Sequence, residues 1–437
     1  MTSKATSAGL RLDRRRFLAL GGTAMAALSL PSLARGAGGK VVIVGGGVGG
    51  ATTARYLKLA DPAIEVVLIE PNATYHTCFM SNEVLAGERS MEGIAVGYDG
   101  LKSLGVTLVQ DAAAAIDPDQ RTVTTAGGES IAYDRCVVAP GVDFDYAAVE
   151  GVGEADAEKI PHAWNAGPQT ALLRGQLEAM EDGGVVCLVA PPNPFRCPPG
   201  PYERASMIAH YLKAHKPKSK VIILDPKDSF SKQALFTQAW ERLYGYGTDD
   251  SLIAWNAFSK IGKVSRIDPQ AMTVEADFET IEAAVINYIP PQKAGKIAFA
   301  ADLVDDSGWC PVDKRTFESS RHPGIHVLGD AAIATTMPKS GYSANSQGKV
   351  VASVIAAAFA GGKAPEPSYV NTCYSIVGAD YGFSIAAVYR YDAGEDEILA
   401  IKESGGLTPL DASAEDLRRE VEFAHSWYNN ICADTWG

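Results

Sequence analysis

The sequence has no cysteine pattern of the kind that holds a metal ion or a haem. Seven cysteines are spread over 437 residues, and no two of them form a CxxC pair or a CxxCH haem-attachment motif. We therefore predict no metal site and no c-type haem in this chain. The seven are Cys78, Cys136, Cys187, Cys197, Cys310, Cys373 and Cys432.

Basic side chains are in the minority. The chain has 39 Lys and Arg against 52 Asp and Glu, a net charge of −13. Residues 1–36 carry a net +5, which leaves −18 for the rest. An acidic body repels nucleic acid and anionic lipid, so we predict no nucleic-acid partner. Attraction of a basic protein and simple solubility remain equally open explanations.

No apolar run is long enough for a membrane span. The run over residues 19–30 is shorter than the roughly 20 residues that a span requires. Three arginines, Arg14–Arg16, precede it, and small residues follow it. This layout is typical of a twin-arginine export signal over residues 1–36 rather than a membrane anchor. We expect a periplasmic protein that is exported already folded, which favours a cofactor enzyme.

A glycine-rich turn follows the first apolar strand after this signal. The pattern predicts a buried strand over residues 41–44, a helix from Ala51 and a second strand that ends at Glu70. Between the first strand and the helix, the glycines let a backbone approach a pyrophosphate, and Glu70 can accept from ribose hydroxyls. The GxGxxG glycines are Gly45, Gly47 and Gly50.

Two later segments favour FAD over NAD as the ligand of that turn. A strand ending in Gly329-Asp330 resembles the flavin-binding motif of the glutathione-reductase-like flavoproteins, in which the aspartate holds the ribityl chain. Residues 137–141 (Val-Val-Ala-Pro-Gly) resemble the middle strand motif of that family, which usually has threonine in place of Pro140.

A second strand-turn-helix-strand unit lacks the glycines that a nicotinamide cofactor needs. Its strand over residues 185–190 leads into a proline-rich loop with a single glycine, Gly200. Prolines supply no N–H groups, so a pyrophosphate would find few donors there. The nicotinamide site is predicted to be lost, and the reductant must be a smaller molecule.

Cys197 stands where that site would have been. It lies on the stiff loop beside Arg196 and before a helix, so we expect a lowered pKa and a reactive thiol. Glu203 is one helical turn further on and is a candidate proton carrier or a plain surface residue. Cys373 follows a linker, residues 361–367, and is placed to fold back over a flavin.

The other cysteines have weaker signals, apart from Cys78. Cys136 and Cys187 lie inside apolar strands and are predicted to be core residues. Cys310 and Cys432 have no clear role. Cys78 follows Glu70 closely, in a segment that runs beside the dimethylbenzene end of the flavin in this fold, so it is placed for covalent attachment to the ring.

Taken together, Cys78, the Cys197/Cys373 pair, the missing nicotinamide motif and the export signal give a family resemblance. The mature chain resembles the flavoprotein subunit of flavocytochrome c sulfide dehydrogenase over essentially its whole length. The resemblance implies FAD linked covalently to Cys78, a redox disulfide between Cys197 and Cys373, hydrosulfide as substrate and a separate c-type cytochrome subunit. It also implies flavin contacts from residues 337–342, including Lys339 and Tyr342.

The predicted fold is α/β, with two Rossmann-like three-layer domains and a small α+β C-terminal domain. Residues 37–150 and 290–360 are predicted to form a discontinuous FAD-binding domain. Residues 151–289 are predicted to form a domain of the NAD-binding type without its nicotinamide motif. Residues 361–437 are predicted to complete the flavin site and an interface.

Three other functions compete with sulfide:cytochrome c oxidoreduction. A sulfide:quinone oxidoreductase shares the fold and the cysteine logic, but it needs an apolar C-terminal surface to reach the membrane. Residues 411–437 are instead rich in acidic residues, and their apolar stripe is typical of a core-facing helix. An NADH-dependent disulfide or ferredoxin reductase needs the missing glycines, and a non-catalytic flavin scaffold has no use for the cysteine pair.

Overall fold

The first part of the chain builds a parallel sheet with small antiparallel additions. The computed structural model describes residues 38–437, so the predicted export signal lies outside the described residues. In chain order the first elements are β1 Lys40–Val44, α1 Val48–Ala60, β2 Glu65–Ile69, β3 Tyr75–His76, α2 Ser81–Ala86, β4 Ala95–Val96, α3 Asp99–Ser103, β5 Thr107–Val109, β6 Ala113–Asp117, β7 Thr122–Thr125, β8 Ser130–Ala132, β9 Arg135–Val138 and β10 Val142–Phe144. β1, β2, β5 and β9 share the parallel sheet, β6–β8 form an antiparallel sheet, and β3 pairs with β4.

Strand β1 lies at the centre of the parallel sheet because its sequence is apolar on both faces. Val42 is fully buried and lies in register between Val67 of β2 and Cys136 of β9. Burying a side chain of this size contributes roughly 1.5–3 kcal/mol. The continuous apolar run of β1 therefore places this strand in the middle of the sheet. The carboxyl end of β1 and the glycine turn that follows it lie at one edge of the sheet.

The second part of the chain repeats the parallel architecture. Its elements are α4 Pro168–Ala179, β11 Val185–Val189, α5 Gly200–His215, β12 Lys220–Leu224, α6 Gln233–Tyr244, β13 Ile253–Asn256, α7 Phe258–Ile261, β14 Val264–Asp268, β15 Thr273–Ala276, β16 Thr280–Glu282 and β17 Val285–Tyr288. The parallel sheet has the order β13-β12-β11-β17, and β14–β16 form an antiparallel sheet. Cys136 on β9 and Cys187 on β11 are fully buried, as predicted for core cysteines.

The chain then returns to the first sheet. The elements of this return are β18 Gln292–Ala294, α8 Lys296–Ala300, β19 Ile325–Val327 and α9 Gly341–Phe359, with a 3-10 turn at Gly329–Ala331. β19 adds to β9 at the edge, which gives the order β19-β9-β1-β2-β5. Helix α9 approaches α1 so closely that a Cβ on Gly348 would lie 2.9 Å from the Gly49 carbonyl oxygen.

The C-terminal part is an antiparallel sheet covered by a long helix. Its elements are β20 Ser368–Gly378, β21 Tyr381–Asp392, β22 Glu397–Ala400, β23 Gly406–Leu407 and α10 Ala414–Thr435. A capping box starts α10, with the Ser413 hydroxyl accepting from the Asp416 N–H at 3.1 Å. The predicted core-facing stripe is buried except for Trp427, which is half-buried; the buried members are Leu417, Val421, Ala424, Tyr428 and Ile431.

The predicted fold class is confirmed: the chain is α/β, with two Rossmann-like parallel sheets and a small α+β part. The predicted domain boundaries stay predictions. Helix α1 begins at Val48, three residues before the predicted Ala51, because Gly49 and Gly50 are already helical. Within residues 38–437, no helix combines the length and apolar character needed to cross a bilayer.

Candidate functional site

The glycine turn after β1 borders a large cleft. Gly45 has a φ of +99°, a left-handed value that favours glycine. A Cβ on Gly50 would lie only 1.9 Å from the Gly45 carbonyl oxygen. Helix α1 begins after Gly47 with no side chain capping its N-terminus. The free N–H groups there border a cleft of about 470 Å³, and such groups bind phosphate oxygens well.

A tryptophan from the end of the described chain covers this turn. The buried Trp436 indole donates to the Gly46 carbonyl oxygen at 3.1 Å. Its ring stacks on Tyr75, with the ring centres 5.1 Å apart. The turn is therefore held by residues from both ends of the described chain.

Glu70 lies directly after β2, as predicted, and borders the same cleft. Its carboxylate accepts from the Gly46 N–H at 2.8 Å and from the Asn72 N–H at 2.9 Å. These bonds fix the carboxylate beside the glycine turn, which is the place from which it can accept from ribose hydroxyls.

Asp330 carries an unsatisfied acceptor at the other end of the cleft. The turn after β19 gives Gly329 a φ of +76° and places the Asp330 carboxyl against the cleft. Its Oδ1 is buried and has no hydrogen-bond partner among the described residues. Burial raises the pKa of Asp330, and the nearby Arg196 and Lys339 oppose that rise. A buried acceptor without a partner calls for a ligand donor such as a hydroxyl.

Cys78 lies between the large cleft and a smaller cavity and borders both. The half-buried thiol has a raised pKa because of burial, and Arg196 counteracts this rise. Arg196 also borders both spaces, with its guanidinium 3.9 Å from Asp330. Cys78 is thus placed where a ligand of the large cleft meets the smaller cavity.

The smaller cavity, of about 80 Å³, brings together Cys197 and Cys373. Cys197 is held at a φ of +58°, and its N–H donates to the Lys339 carbonyl oxygen at 2.8 Å. Cys373 comes from β20, where it pairs with Ile385. The two thiols are close enough to shift each other's pKa. Both are free thiols in this structure, so the redox disulfide stays a prediction.

The lowered pKa belongs to Cys373, and the sequence prediction for Cys197 is wrong. The hydrogen bond from Cys197 and, to a smaller extent, the nearby Lys232 together lower the pKa of Cys373 to about 6, although burial opposes this. The pKa of Cys197 is raised because its thiol donates that bond and is buried close to Glu203. The local sequence shows only the neighbouring cation, Arg196, because Lys232 is remote from Cys373 along the chain.

Glu203 is a buried residue of the cysteine cavity, and the surface alternative is wrong. Its carboxyl accepts from the Ile376 N–H at 3.4 Å. Burial, and the Cys373 thiol beside it, raise the pKa of Glu203 to about 8. A carboxyl with this pKa can hold or release a proton near neutral pH.

Other predicted residues lie around these two spaces rather than inside the large cleft. Tyr342 borders the cysteine cavity. Gly50 sits beneath the glycine turn. Lys339 borders a third cavity, on the side of the proline loop, and its ammonium donates to the Asp330 and Ala332 carbonyl oxygens at 2.6 and 3.1 Å. Lys339 therefore holds the turn that presents Asp330.

Two buried cations of the cysteine cavity region were missed by sequence reasoning. Arg204 stacks over Trp164 and donates to the His162 and Ala163 carbonyl oxygens at 2.7 and 2.6 Å. Lys232 donates to the carbonyl oxygen of Cys373. Nothing in the local sequence marks either residue, because their partners are distant along the chain.

The second parallel sheet buries the acidic residue that follows its second strand. Asp225 follows β12 as Glu70 follows β2, yet it is fully buried. Its carboxylate accepts from the Tyr202 hydroxyl at 2.6 Å, from the Trp255 indole at 3.0 Å and from the Lys227 ammonium at 2.6 Å. Phe230 stacks on Tyr202 and covers the group. Protein side chains thus take the contacts that a dinucleotide would need.

The chain matches three family models along its length. A pyridine nucleotide-disulphide oxidoreductase model matches residues 39–167. The central model of the sulfide dehydrogenase [flavocytochrome c] flavoprotein chain matches residues 170–290. The flavin-binding model of flavocytochrome c sulphide dehydrogenase matches residues 365–436.

Individual relatives point to the same group. The mitochondrial sulfide:quinone oxidoreductase of Mus musculus is 25% identical over 313 residues, which cover 69% of this chain and 66% of that relative. The sulfide dehydrogenase [flavocytochrome c] flavoprotein chain of Chlorobaculum thiosulfatiphilum is 56% identical over 45 residues, 10% of this chain and 94% of that one. The crystal structure of the Aquifex aeolicus sulfide:quinone oxidoreductase has the same fold, with a TM-score of 0.72, 20% identity and coverage of 91% and 92%.

The fold and the glycine turn define a flavoprotein oxidoreductase of the pyridine nucleotide-disulphide type. Within that class, the chain belongs to the family of flavoproteins that contains the flavocytochrome c sulfide dehydrogenase flavoprotein chains and the sulfide:quinone oxidoreductases. It carries the flavin-binding domain of the former.

Proposed function

We propose that this chain is the flavoprotein subunit of a flavocytochrome c sulfide dehydrogenase, which oxidises hydrosulfide and passes the electrons to a c-type cytochrome subunit. The observation that carries the proposal is the meeting of Cys197 and Cys373 in one small cavity whose wall includes Cys78. Cys78 also borders the large cleft, so a ligand there is within reach of the sulfur pair.

The large cleft suits FAD. The unpartnered Asp330 Oδ1 calls for a hydroxyl donor, and the ribityl chain supplies one. The N-terminus of α1 would hold the pyrophosphate, and Glu70 the ribose. FAD, when bound, would accept two electrons at once and release them singly to a haem.

The protein's part in the chemistry is a thiol–disulfide exchange. Hydrosulfide attacks the Cys197 sulfur of a Cys197–Cys373 disulfide, a new S–S bond forms, and Cys373 leaves as a thiolate. Over a complete turnover, hydrosulfide loses one proton and two electrons and becomes zero-valent sulfur. Glu203 borders the cavity and is placed to take that proton.

A thioether from Cys78 would attach the flavin covalently. The supporting observation is the position of Cys78 on the border between the large cleft and the cysteine cavity. Such a link keeps the cofactor on the protein outside the cytoplasm and raises its potential. We expect the yellow colour to stay with the unfolded chain on a desalting column, and to separate from it in Cys78→Ser.

The polarity of the outer face of α10 supports a cytochrome as the electron acceptor over a membrane quinone pool. The exposed side chains of α10 are mostly polar or charged, with Phe423 as a large apolar exception. An interfacial membrane helix would show a broad apolar outer face. The acidic charge of the described chain also favours a basic protein partner.

The cysteine chemistry is tested with Cys373→Ser. We expect reduction of the flavin by sulfide to become at least 100-fold slower in stopped-flow experiments, because the disulfide can no longer form. Cys432→Ser is the matched control, since Cys432 is half-buried outside the cavity. A normal rate in Cys373→Ser would disprove the scheme.

A sulfide:quinone oxidoreductase is the second candidate, favoured by the long match to the mouse enzyme and by the Aquifex fold. The two candidates differ in the electron acceptor. The reduced protein is mixed in turn with cytochrome c, a quinone analogue and NAD⁺. Fast oxidation by cytochrome c supports the first proposal, and preferential oxidation by the quinone supports the second.

We also propose a periplasmic location through the twin-arginine pathway. The support is the layout of residues 1–36. The protein should appear in the periplasmic fraction of a bacterial host, and replacing Arg14 and Arg15 by lysine should retain it in the cytoplasm.

A further inference from the structure

Lys232 is a buried cation beside the cysteine cavity. It lies just before α6, with a φ of +62°, and only 7% of its surface is exposed. Its ammonium donates to the Cys373 carbonyl oxygen at 3.0 Å and to the Ser375 hydroxyl at 2.9 Å. Cys373 and Ser375 are two residues apart on β20, so their side chains share one face of the strand.

This ammonium has no carboxylate partner at ion-pair distance among residues 38–437. Its other neighbour is the ring of Phe383, 5.4 Å away. A buried charge without a counter-ion is costly unless an anion forms nearby. The groups close enough to supply one are the Cys373 thiol and the Glu203 carboxyl.

We propose that Lys232 is a positioning residue whose buried charge stabilises the Cys373 thiolate and thereby decides which sulfur of the pair leaves. The inference rests on the proposed exchange at Cys197 and Cys373. It adds that Lys232, just before α6, determines which sulfur leaves, and that the proline loop does not.

The surroundings of Cys373 support this assignment. From the proline loop Cys373 faces Cys197, and from α5 it faces Glu203; the pKa of each of these two acids is raised. Arg204 lies on the side of Cys197 and Glu203. Lys232 is therefore the cation that lowers the pKa of Cys373, after the hydrogen bond from Cys197.

The test measures thiol reactivity and needs no turnover. In a Cys197→Ser background, the rate of alkylation of Cys373 by iodoacetamide is followed from pH 5 to 10, with the labelled site confirmed by mass spectrometry. We expect Lys232→Met to raise the apparent pKa by one unit or more, so that alkylation near neutral pH becomes at least tenfold slower.

Two further variants separate charge from structure. Lys232→Arg should restore the low apparent pKa, whereas Lys232→Gln, which keeps a donor, should behave as Lys232→Met. Lys227→Met is the matched control, because Lys227 is another largely buried lysine of this part, paired with Asp225. It should leave the Cys373 profile unchanged.

An unchanged pKa in both Lys232→Met and Lys232→Gln overturns the inference, as does an equal shift in Lys227→Met. Failure of the proposed function is separate: a shifted pKa together with normal sulfide oxidation in Cys373→Ser would keep the role of Lys232 and remove the exchange. Denaturant midpoints of all variants show which of them remain folded.

Discussion

The two parallel sheets of this chain end their second strands on an acidic residue, but the two carboxylates have opposite surroundings. Glu70 borders a cleft of about 470 Å³ beside a glycine turn. Asp225 is fully buried and bonded to Tyr202, Trp255 and Lys227. One unit keeps a nucleotide cradle, and the other has filled its cradle with its own side chains.

The loops before the helices differ in the same way. After β1, glycines leave the N-terminus of α1 uncapped and free. After β11, a proline loop precedes α5, and the first N–H groups donate to Cys197 and Pro199 carbonyl oxygens. The same architecture thus serves two purposes: one loop accepts a phosphate, and the other holds a cysteine in a left-handed conformation.

Gly50→Ala should disrupt the nucleotide cradle of the first parallel sheet and have the largest effect of these variants. The new Cβ would lie 1.9 Å from the Gly45 carbonyl oxygen, so the turn must open. We expect purified protein without flavin, with visible absorbance as the measurement. A variant with full flavin content would show that the glycine turn does not hold the cofactor.

Glu203→Gln tests the buried carboxyl group that helix α5 places in the cysteine cavity. The pKa of Glu203 is raised by burial to about 8, against roughly 4.3 in an unfolded chain. Between these two pKa values the folded protein holds a proton that the unfolded chain has released. The resulting stabilisation is complete below about pH 4.3 and is lost as the pH rises through about 8. Glutamine stays neutral at every pH. Between pH 5 and 8 the free energy of unfolding of the parent should therefore fall by roughly 3 kcal/mol more than that of the variant.

Urea midpoints at several pH values measure this difference in the free energy of unfolding. The exposed Glu178→Gln is the control and should follow the parent curve. Parallel curves for Glu203→Gln and the parent would mean that Glu203 titrates as an ordinary carboxyl.

Asp225→Asn should destabilise the part of the chain that forms the second parallel sheet, without opening a cleft there. The change removes the negative charge that Lys227 and the Trp255 indole share. We expect a loss of about 2 kcal/mol in the free energy of unfolding, because breaking a buried pair leaves one partner uncompensated. Flavin content should stay unchanged. A loss of flavin would show that the second parallel sheet influences cofactor binding at the first.

Gly175→Ala is the smallest change and the control for glycine removal. Gly175 lies on the exposed face of α4, and a Cβ there would meet no atom within 4 Å. Alanine is the better helix former, so we expect a gain of up to about 1 kcal/mol, seen as a higher thermal midpoint, with normal flavin content. Destabilisation would contradict this account of α4.

The local patterns were enough for most of the fold. The apolar runs of β1, β11 and β12 and the glycine turn after β1 lie where the sequence predicts them, because each is determined within a few residues. The start of α1 was missed by three residues, because two helical glycines read as loop when their packing against α9 is unknown.

The candidate site was less predictable from the residues themselves. The disulfide between Cys197 and Cys373 is implied only by the family resemblance, since no local pattern joins a proline loop to β20. The wrong pKa assignment has the same origin: Lys232 reaches Cys373 only through the tertiary fold. The burial of Asp225 also depends on contacts from α5 and β13, which are distant from it along the chain.

Trp436 links the order of synthesis to cofactor capture. Its indole closes the glycine turn by bonding to Gly46, near the opposite end of the described chain. A ribosome must therefore extend the nascent polypeptide past residue 436 before the glycine turn acquires this bond. Chains that end before residue 436 would lack the indole that holds the Gly46 carbonyl oxygen.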